Sequence, residues 1–255
     1  VEIALPTHGV ITNIGNAHLE GMGGIEGVQR TKGELFDFLR ASNGFAFVNE
    51  NDPRVVAAAE GLARWFGYGG ATSDYRILQV TEFTDHQEIT MAALGKFMKV
   101  KLHLLGRHNA ENALLAVEVG LHFGISYTAI LSALSAYLPK MNRSQLHRQG
   151  AHTYLLDAYN ANPSSMEATI QSIAAQDHAS VALILGDMFE LGTHSDELHR
   201  NIWTFARAAL PNALVIGIGP SFHRHRPQED PLMFSYPSIE DALPFIAQAI
   251  QPYEF

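Results

Sequence analysis

The sequence predicts an α/β protein in two domains, residues 1–138 and 139–255. Apolar runs of strand length, such as GVITNI (9–14), SVALILGD (180–187) and NALVIGIG (212–219), lack polar alternation, as strands buried on both faces do. Amphipathic stretches with apolar residues every three or four positions lie between them. The polar, proline-led segment PKMNRSQ (139–145) separates the halves.

In the first half, GVITNI reads as a buried strand that leads through a glycine-rich loop into a helix within NAHLEGMGGIEGVQRTKGELFDFL (16–39). A short strand AFVN, a helix from Pro53 to about Trp65 and a β-rich stretch from Arg76 to Leu104 follow, the last broken at TDHQ and LGKF. Two helices, from about Asn109 to Phe123 and from Tyr127 to Leu138, complete the half. In the second half, HTYLLDAY, SVALILGD and NALVIGIG alternate with helices that start at Pro163 and Ser195. This alternation predicts right-handed parallel units in a doubly wound, Rossmann-like sheet. Ligands of such sheets sit beyond the carboxyl ends of the strands, which here carry Asp157, Asp187 and the Gly217–Gly219 turn.

Composition narrows the function classes. With 47% hydrophobic and 17% charged residues the chain reads as globular. Its apolar runs fall far short of the roughly 20 residues that span a bilayer, so no membrane span is expected. The absence of cysteine excludes disulfides and thiolate metal sites, and a cytoplasmic enzyme is the expectation. A net charge of −9 argues against a nucleic-acid surface. The one basic cluster, FHRHR (222–226), reads as a solvated loop tip. A monomer is the expected state.

One residue in the 16–39 helix breaks its pattern. Ile25, Val28, Leu35, Phe36 and Leu39 form an apolar stripe, and Lys32 occupies the remaining position on that face. Burial penalises an ammonium and makes the neutral amine accessible. A neutral lysine amine is a nucleophile that can take up carbon dioxide, giving a carbamate whose two hard oxygens suit magnesium. The alternative is a side chain that lays its stem along the helix edge and its head in water.

The segment GVITNIGNAHLEGMGGIEGVQRTKGELFDFL resembles the central-domain signature of the Mur ligases, nearest to the branch that adds D-alanyl-D-alanine to a UDP-N-acetylmuramoyl-tripeptide. The resemblance implies that His18 and Lys32, as a carbamate, hold a magnesium ion at the γ-phosphate of ATP. LLGRHNAENALLAV (104–117) is similar to the family's segment whose asparagines contact adenine, which assigns Asn109 and Asn112 to the nucleotide. Read locally, Asn109 suits a helix N-cap, Asn112 lies one turn in, and His108 shapes the turn. NRSQLHR (142–148) matches a linker whose first arginine, here Arg143, reaches the nucleotide or the transferred phosphate. A planar guanidinium suits that task, and an exposed interdomain arginine is the plain alternative.

LLDAYNANPSSMEA (155–168) carries the resemblance furthest. It implies that Asp157 contacts the nucleotide and that Tyr159, Asn160 and Asn162 lie beside the incoming substrate. Asn162 followed by Pro163 also reads as an N-cap and first helical position. LGDMFELG (185–192) resembles the next strand end, which places Asp187 near the substrate or, equally, in a turn.

The implied reaction is ATP-dependent amide formation through an acyl phosphate, with ATP and Mg2+ as cofactors. No G-x-x-x-x-G-K-[ST] phosphate loop occurs anywhere in the sequence. The family carries that loop, and a UDP-binding domain, upstream of the segment matching Val1, and a further strand beyond the segment matching Phe255. The expectation is therefore a central ATP-binding portion and a C-terminal portion that do not catalyse the reaction alone. Another Mur ligase, a folylpolyglutamate-synthase-like ligase, or a non-catalytic nucleotide-binding module are the alternatives.

Overall fold

The computed structural model describes residues 1, 3–140, 142–150, 152–176, 178 and 180–250. The chain divides into two compact units, Val1–Tyr137 and Leu138–Phe255.

The first unit is built on a six-stranded sheet in the order β1-β2-β3-β4-β5-β6. Strands β1 (His8–Ile11), β2 (Phe45–Asn49) and β3 (Trp65–Tyr68) run parallel, and β4 (Tyr75–Glu82) joins β3 through the single pair Tyr68 and Tyr75. Strands β5 (Gln87–Ala93) and β6 (Lys96–Leu102) continue antiparallel, as the two predicted breaks require. Helix α4 (Arg107–His122) packs on β3, β4 and β5, and α5 (Tyr127–Ala136) packs on β6. Their buried faces, with Tyr68, Ile89, Met91, Leu102, Leu114 and Val117, make the core.

Two helices differ from expectation. The 16–39 segment is one turn, α1 (Leu19–Met22), followed by α2 (Ile25–Ser42). Gly23 and Gly24 break it at φ 76° and 91°, conformations that only glycine adopts freely. A Cβ at Gly27 would overlap the Met22 carbonyl, so the α1–α2 approach requires glycine there. The helix from Pro53 ends early, as α3 (Pro53–Ala58), and Trp65 belongs to β3. Asp52 caps α3 by accepting from the backbone of Arg54 and Val55.

In the second unit, β9 (Ala182–Gly186), β10 (Leu214–Ile218) and β11 (Met233–Tyr236) form a parallel sheet in the order β11-β10-β9. HTYLLDAY supplies β8 (His152–Leu156), which pairs antiparallel with β7 (Gln145–Gln149) in its own two-stranded sheet instead of joining β9. Helices α6 (Pro163–Ala174) and α7 (Ser195–Ala209) pack on each other. The FHRHR cluster is no loop tip. Its first residues end α8 (Pro220–Arg224), Phe222 is fully buried, and His225 lies 2.9 Å from Asp196. Helix α9 (Ile239–Ala249) packs on β11.

Candidate functional site

The loop that leaves β1 receives the lysine. Lys32 Nζ donates to the Asn13 carbonyl at 2.9 Å, and the side chain is half-buried. It therefore neither enters the apolar layer nor runs out along the helix edge. Burial lowers the amine's pKa, opposed by the nearby Asp52 carboxylate. His18 ends the same loop at φ 59°, in the N-cap position of α1, and is exposed.

These two residues can be tested as magnesium ligands by their chemistry. An ammonium cannot coordinate a cation, whereas an amine with a lowered pKa is open to carbamate formation and so to two oxygen ligands. Among the described residues no group of three or more His, Asp or Glu could hold a metal ion. His18 and Lys32 thus fit as contributors to a magnesium site, not as a complete one.

Gly106, at φ 91°, takes the N-cap of α4, so Asn109 is not the cap the sequence suggested. Asn109 sits in the first turn, 9% exposed, and its Nδ2 donates back to the Leu105 carbonyl at 2.7 Å. The His108 ring lies over Gly106, where a Cβ would come within 2.8 Å of it, which is the turn-shaping part expected of it. Asn112 is exposed one turn on.

The second unit gathers Arg143, Asp157 and Tyr159. The Ala158 N–H donates to the Asn142 carbonyl at 2.9 Å, and the Ser144 N–H to Asp157 Oδ1 at 3.0 Å. These bonds clamp a turn in which Asn142 and Ser144 both take left-handed φ, 55° and 47°. Arg143, between them, lays its guanidinium over the Tyr159 ring at 3.7 Å from the centroid. Asp157 Oδ2 accepts from Thr169 Oγ1 at 2.9 Å. Each carboxylate oxygen retains a second lone pair for a ligand. Asn160 is exposed in the following loop. Asn162 caps α6 as the Asn-Pro pair predicts, accepting from the Ser165 N–H at 3.0 Å in a reciprocal capping box.

Asp187 stands apart from that group. Its Oδ2 and Oδ1 accept the N–H groups of Ser221 and Phe222, both at 2.9 Å, so the carboxylate fastens the β10–α8 turn. Buried His199 supports the same strand end. Its Nδ1 donates to the Ser195 carbonyl at 2.7 Å and its Nε2 accepts the Met188 N–H at 3.1 Å. His199 and Trp203, both buried on α7, are not among the residues that the sequence singles out. Asn49 and Asp52 were also absent from that reading. An aspartate before proline is a legible cap signal, but its reach to a distant loop leaves no mark in the sequence.

Family models place these segments. Residues 1–120 match the Mur ligase middle domain, and residues 142–243 match the Mur ligase, glutamate ligase domain. The chain belongs to the Mur ligase family. It is 34% identical over 229 residues to the UDP-N-acetylmuramoyl-tripeptide–D-alanyl-D-alanine ligase of Escherichia coli, covering 88% of this chain and 50% of the relative. A Mycobacterium tuberculosis ligase of the same name is 34% identical over 241 residues, covering 86% of this chain and 45% of that protein. MurF from Acinetobacter baumannii superposes with a TM-score of 0.87 at 27% identity, covering 99% of this chain and 55% of that one. The MurF ligase of Thermotoga maritima, solved in complex with ADP, has the same fold, with a TM-score of 0.85 at 19% identity over 98% of this chain and 57% of its own. The chain spans about half the length of the curated relatives it matches. Within this Mur ligase chain, His18, Lys32, Asn109 and Asn112 fall in the middle-domain match, and Arg143, Asp157, Tyr159, Asn160, Asn162 and Asp187 in the second.

Proposed function

We propose that this chain forms the central ATP-binding and C-terminal parts of a cytoplasmic ligase of peptidoglycan precursor synthesis. That ligase joins D-alanyl-D-alanine to UDP-N-acetylmuramoyl-tripeptide at the expense of ATP. The observation that carries the reading is Lys32, half-buried with its amine turned onto the loop after β1 and its pKa lowered by burial. The names of the Escherichia coli and Mycobacterium tuberculosis relatives support the substrate pair. No helix among the described residues is long and apolar enough to cross a membrane.

In this mechanism the tripeptide carboxylate attacks the γ-phosphorus of ATP. The bond to the β-phosphate oxygen breaks, and ADP and an acyl phosphate form. The D-alanyl-D-alanine amine then attacks the activated carbonyl, loses a proton, and expels inorganic phosphate as the amide forms. His18 and carbamylated Lys32 would hold magnesium, which neutralises charge on the phosphates during transfer. Asn109 and Asn112 orient the adenine through side-chain amides at the start of α4. Asp157 accepts from the ribose hydroxyls through its remaining lone pairs. Stacked on Tyr159, Arg143 would offer the N–H edge of its guanidinium to phosphate oxygens, where transition-state charge spreads. Tyr159, Asn160 and Asn162 lie beside the acceptor, and Asp187 serves the site from a distance by fastening the β10–α8 turn.

The test is ADP release by the complete polypeptide with ATP, magnesium and UDP-N-acetylmuramoyl-tripeptide. Release that depends on D-alanyl-D-alanine is expected. Preferential release with a single amino acid as acceptor would assign the chain to another branch.

A further inference from the structure

Asn49, the last residue of β2, and the three residues of the turn after it, Glu50, Asn51 and Asp52, bond different parts of the unit. Asn49 is 5% exposed and uses both ends of its amide: Nδ2 donates to the Thr12 carbonyl at 2.8 Å, and Oδ1 accepts the Asn51 N–H at 3.0 Å. Glu50 accepts from Ser73 Oγ. Asn51 Nδ2 donates to Glu111 on α4 at 3.3 Å. Asp52 divides its carboxylate: Oδ1 caps α3 through the Arg54 and Val55 N–H groups, at 2.9 and 3.3 Å, while Oδ2 accepts the Ile14 N–H at 2.7 Å.

The loop after β1 is thereby held at three successive residues. Thr12 is held by Asn49, Asn13 by Lys32 and Ile14 by Asp52. Ile14 is 2% exposed, so its N–H cannot exchange its partner for water without opening the loop. The adjoining connection is built close to the turn: Gly69, at φ 89°, leaves room where a Cβ would come within 2.8 Å of Asn51 Nδ2 and 3.3 Å of Asn49 Oδ1. A helix cap alone requires one carboxylate oxygen. The second oxygen of Asp52, and the amide of Asn49, are spent on a loop more than thirty residues away in sequence.

We propose that Asn49 and Asp52 are positioning residues of the ligase site, fixing the loop that receives Lys32 and ends in His18; this rests on the function proposed above. They touch no substrate. They act as outer partners do around a metal site, by holding the groups that hold the ion, and removal of such a partner typically costs about 10–100-fold in metal affinity or activity. Through Asn51 and Glu111 the same turn also braces α4, the helix that carries Asn109 in its first turn.

The substitution Asp52→Asn separates this role from helix capping. An asparagine caps as well as an aspartate through its carbonyl oxygen, but its amide presents N–H where Oδ2 had accepted from Ile14. Amide hydrogen exchange on the 255-residue chain should show Ile14 exchanging at least about tenfold faster in Asp52→Asn, with Arg54 and Val55 unchanged. In the complete ligase the magnesium concentration for half-maximal rate should rise about tenfold or more while KM for D-alanyl-D-alanine stays put. Asn49→Ala should move the same two readouts through Thr12, and it keeps the proposal testable should Asp52→Asn fail to fold. Unchanged Ile14 exchange, or faster exchange with an unaltered magnesium requirement, would overturn the proposal. A wild-type polypeptide that releases no ADP with D-alanyl-D-alanine would instead overturn the function, and Ile14 exchange alone would then decide whether Asp52 fixes the loop.

Discussion

The Arg143 guanidinium lies 3.7 Å from the centre of the Tyr159 ring. The contact joins the turn before β7 to the loop after β8; in that turn Asn142 and Ser144 both take left-handed backbone, and Ala158 and Asp157, just past β8, bond them. Arg143 is exposed, and among the described residues it makes no hydrogen bond.

Arg143→Ala in the complete ligase should lower kcat on the order of a thousandfold, the loss typical of an arginine that stabilises transferring phosphoryl charge. Arg143→Lys should recover little, because a compact ammonium neither stacks on Tyr159 nor presents a planar fork. Steady-state kinetics check both. A lysine variant with wild-type kcat would reduce Arg143 to a surface cation.

Lys32→Arg should abolish turnover, since a guanidinium cannot form the carbamate, and added bicarbonate should not restore it. ADP release measured with and without bicarbonate decides this. Near-normal activity would remove Lys32 from the site.

Stability should fall as pH rises because of Glu118. This α4 carboxyl is fully buried, neither oxygen has a hydrogen-bond partner, and burial, with the Glu50 carboxylate nearby, pushes its pKa up to about 8. In the unfolded chain it ionises near the usual carboxylate pKa. The folded state therefore binds one more proton between those values, and stability present at acid pH is lost on going up through about pH 8. Each unit of difference is worth about 1.4 kcal/mol. Denaturation of Glu118→Gln at a series of pH values should give a flatter curve and a more stable protein at neutral pH. Parallel curves for the two proteins would show that Glu118 is ionised in the fold.

Gly27→Ala should destabilise the first unit by about 1–3 kcal/mol, the usual cost of forcing atoms into a packed contact, because its Cβ overlaps the Met22 carbonyl. Thermal unfolding measures it. An unchanged Tm would mean that α1 moves aside freely.

The sequence shows some of this fold directly and hides other parts for identifiable reasons. The α2 stripe is legible because Val28, Phe36 and Leu39 recur at helical spacing and all become fully buried. Strand β3 escapes notice because Trp65–Tyr68 has four residues, two of them exposed aromatics, directly after a helical start. HTYLLDAY reads as a strand, but nothing local says whether β7 or β9 will pair with it. At the site, Asn162 is legible because a cap is a local matter, whereas Asp187 reads equally as a ligand or a turn until Ser221 and Phe222 come against it from 34 and 35 residues away. The contacts of Asn49 and Asp52 with the β1 loop belong to the same class, long-range bonds without a sequence period.

The most direct measurement is carbon-13 NMR of the complete ligase equilibrated with labelled bicarbonate, magnesium and ATP. A carbamate resonance present in the wild type and missing from Lys32→Arg is the predicted result. An active wild-type enzyme with no such resonance would contradict the placement of Lys32 at the centre of the site.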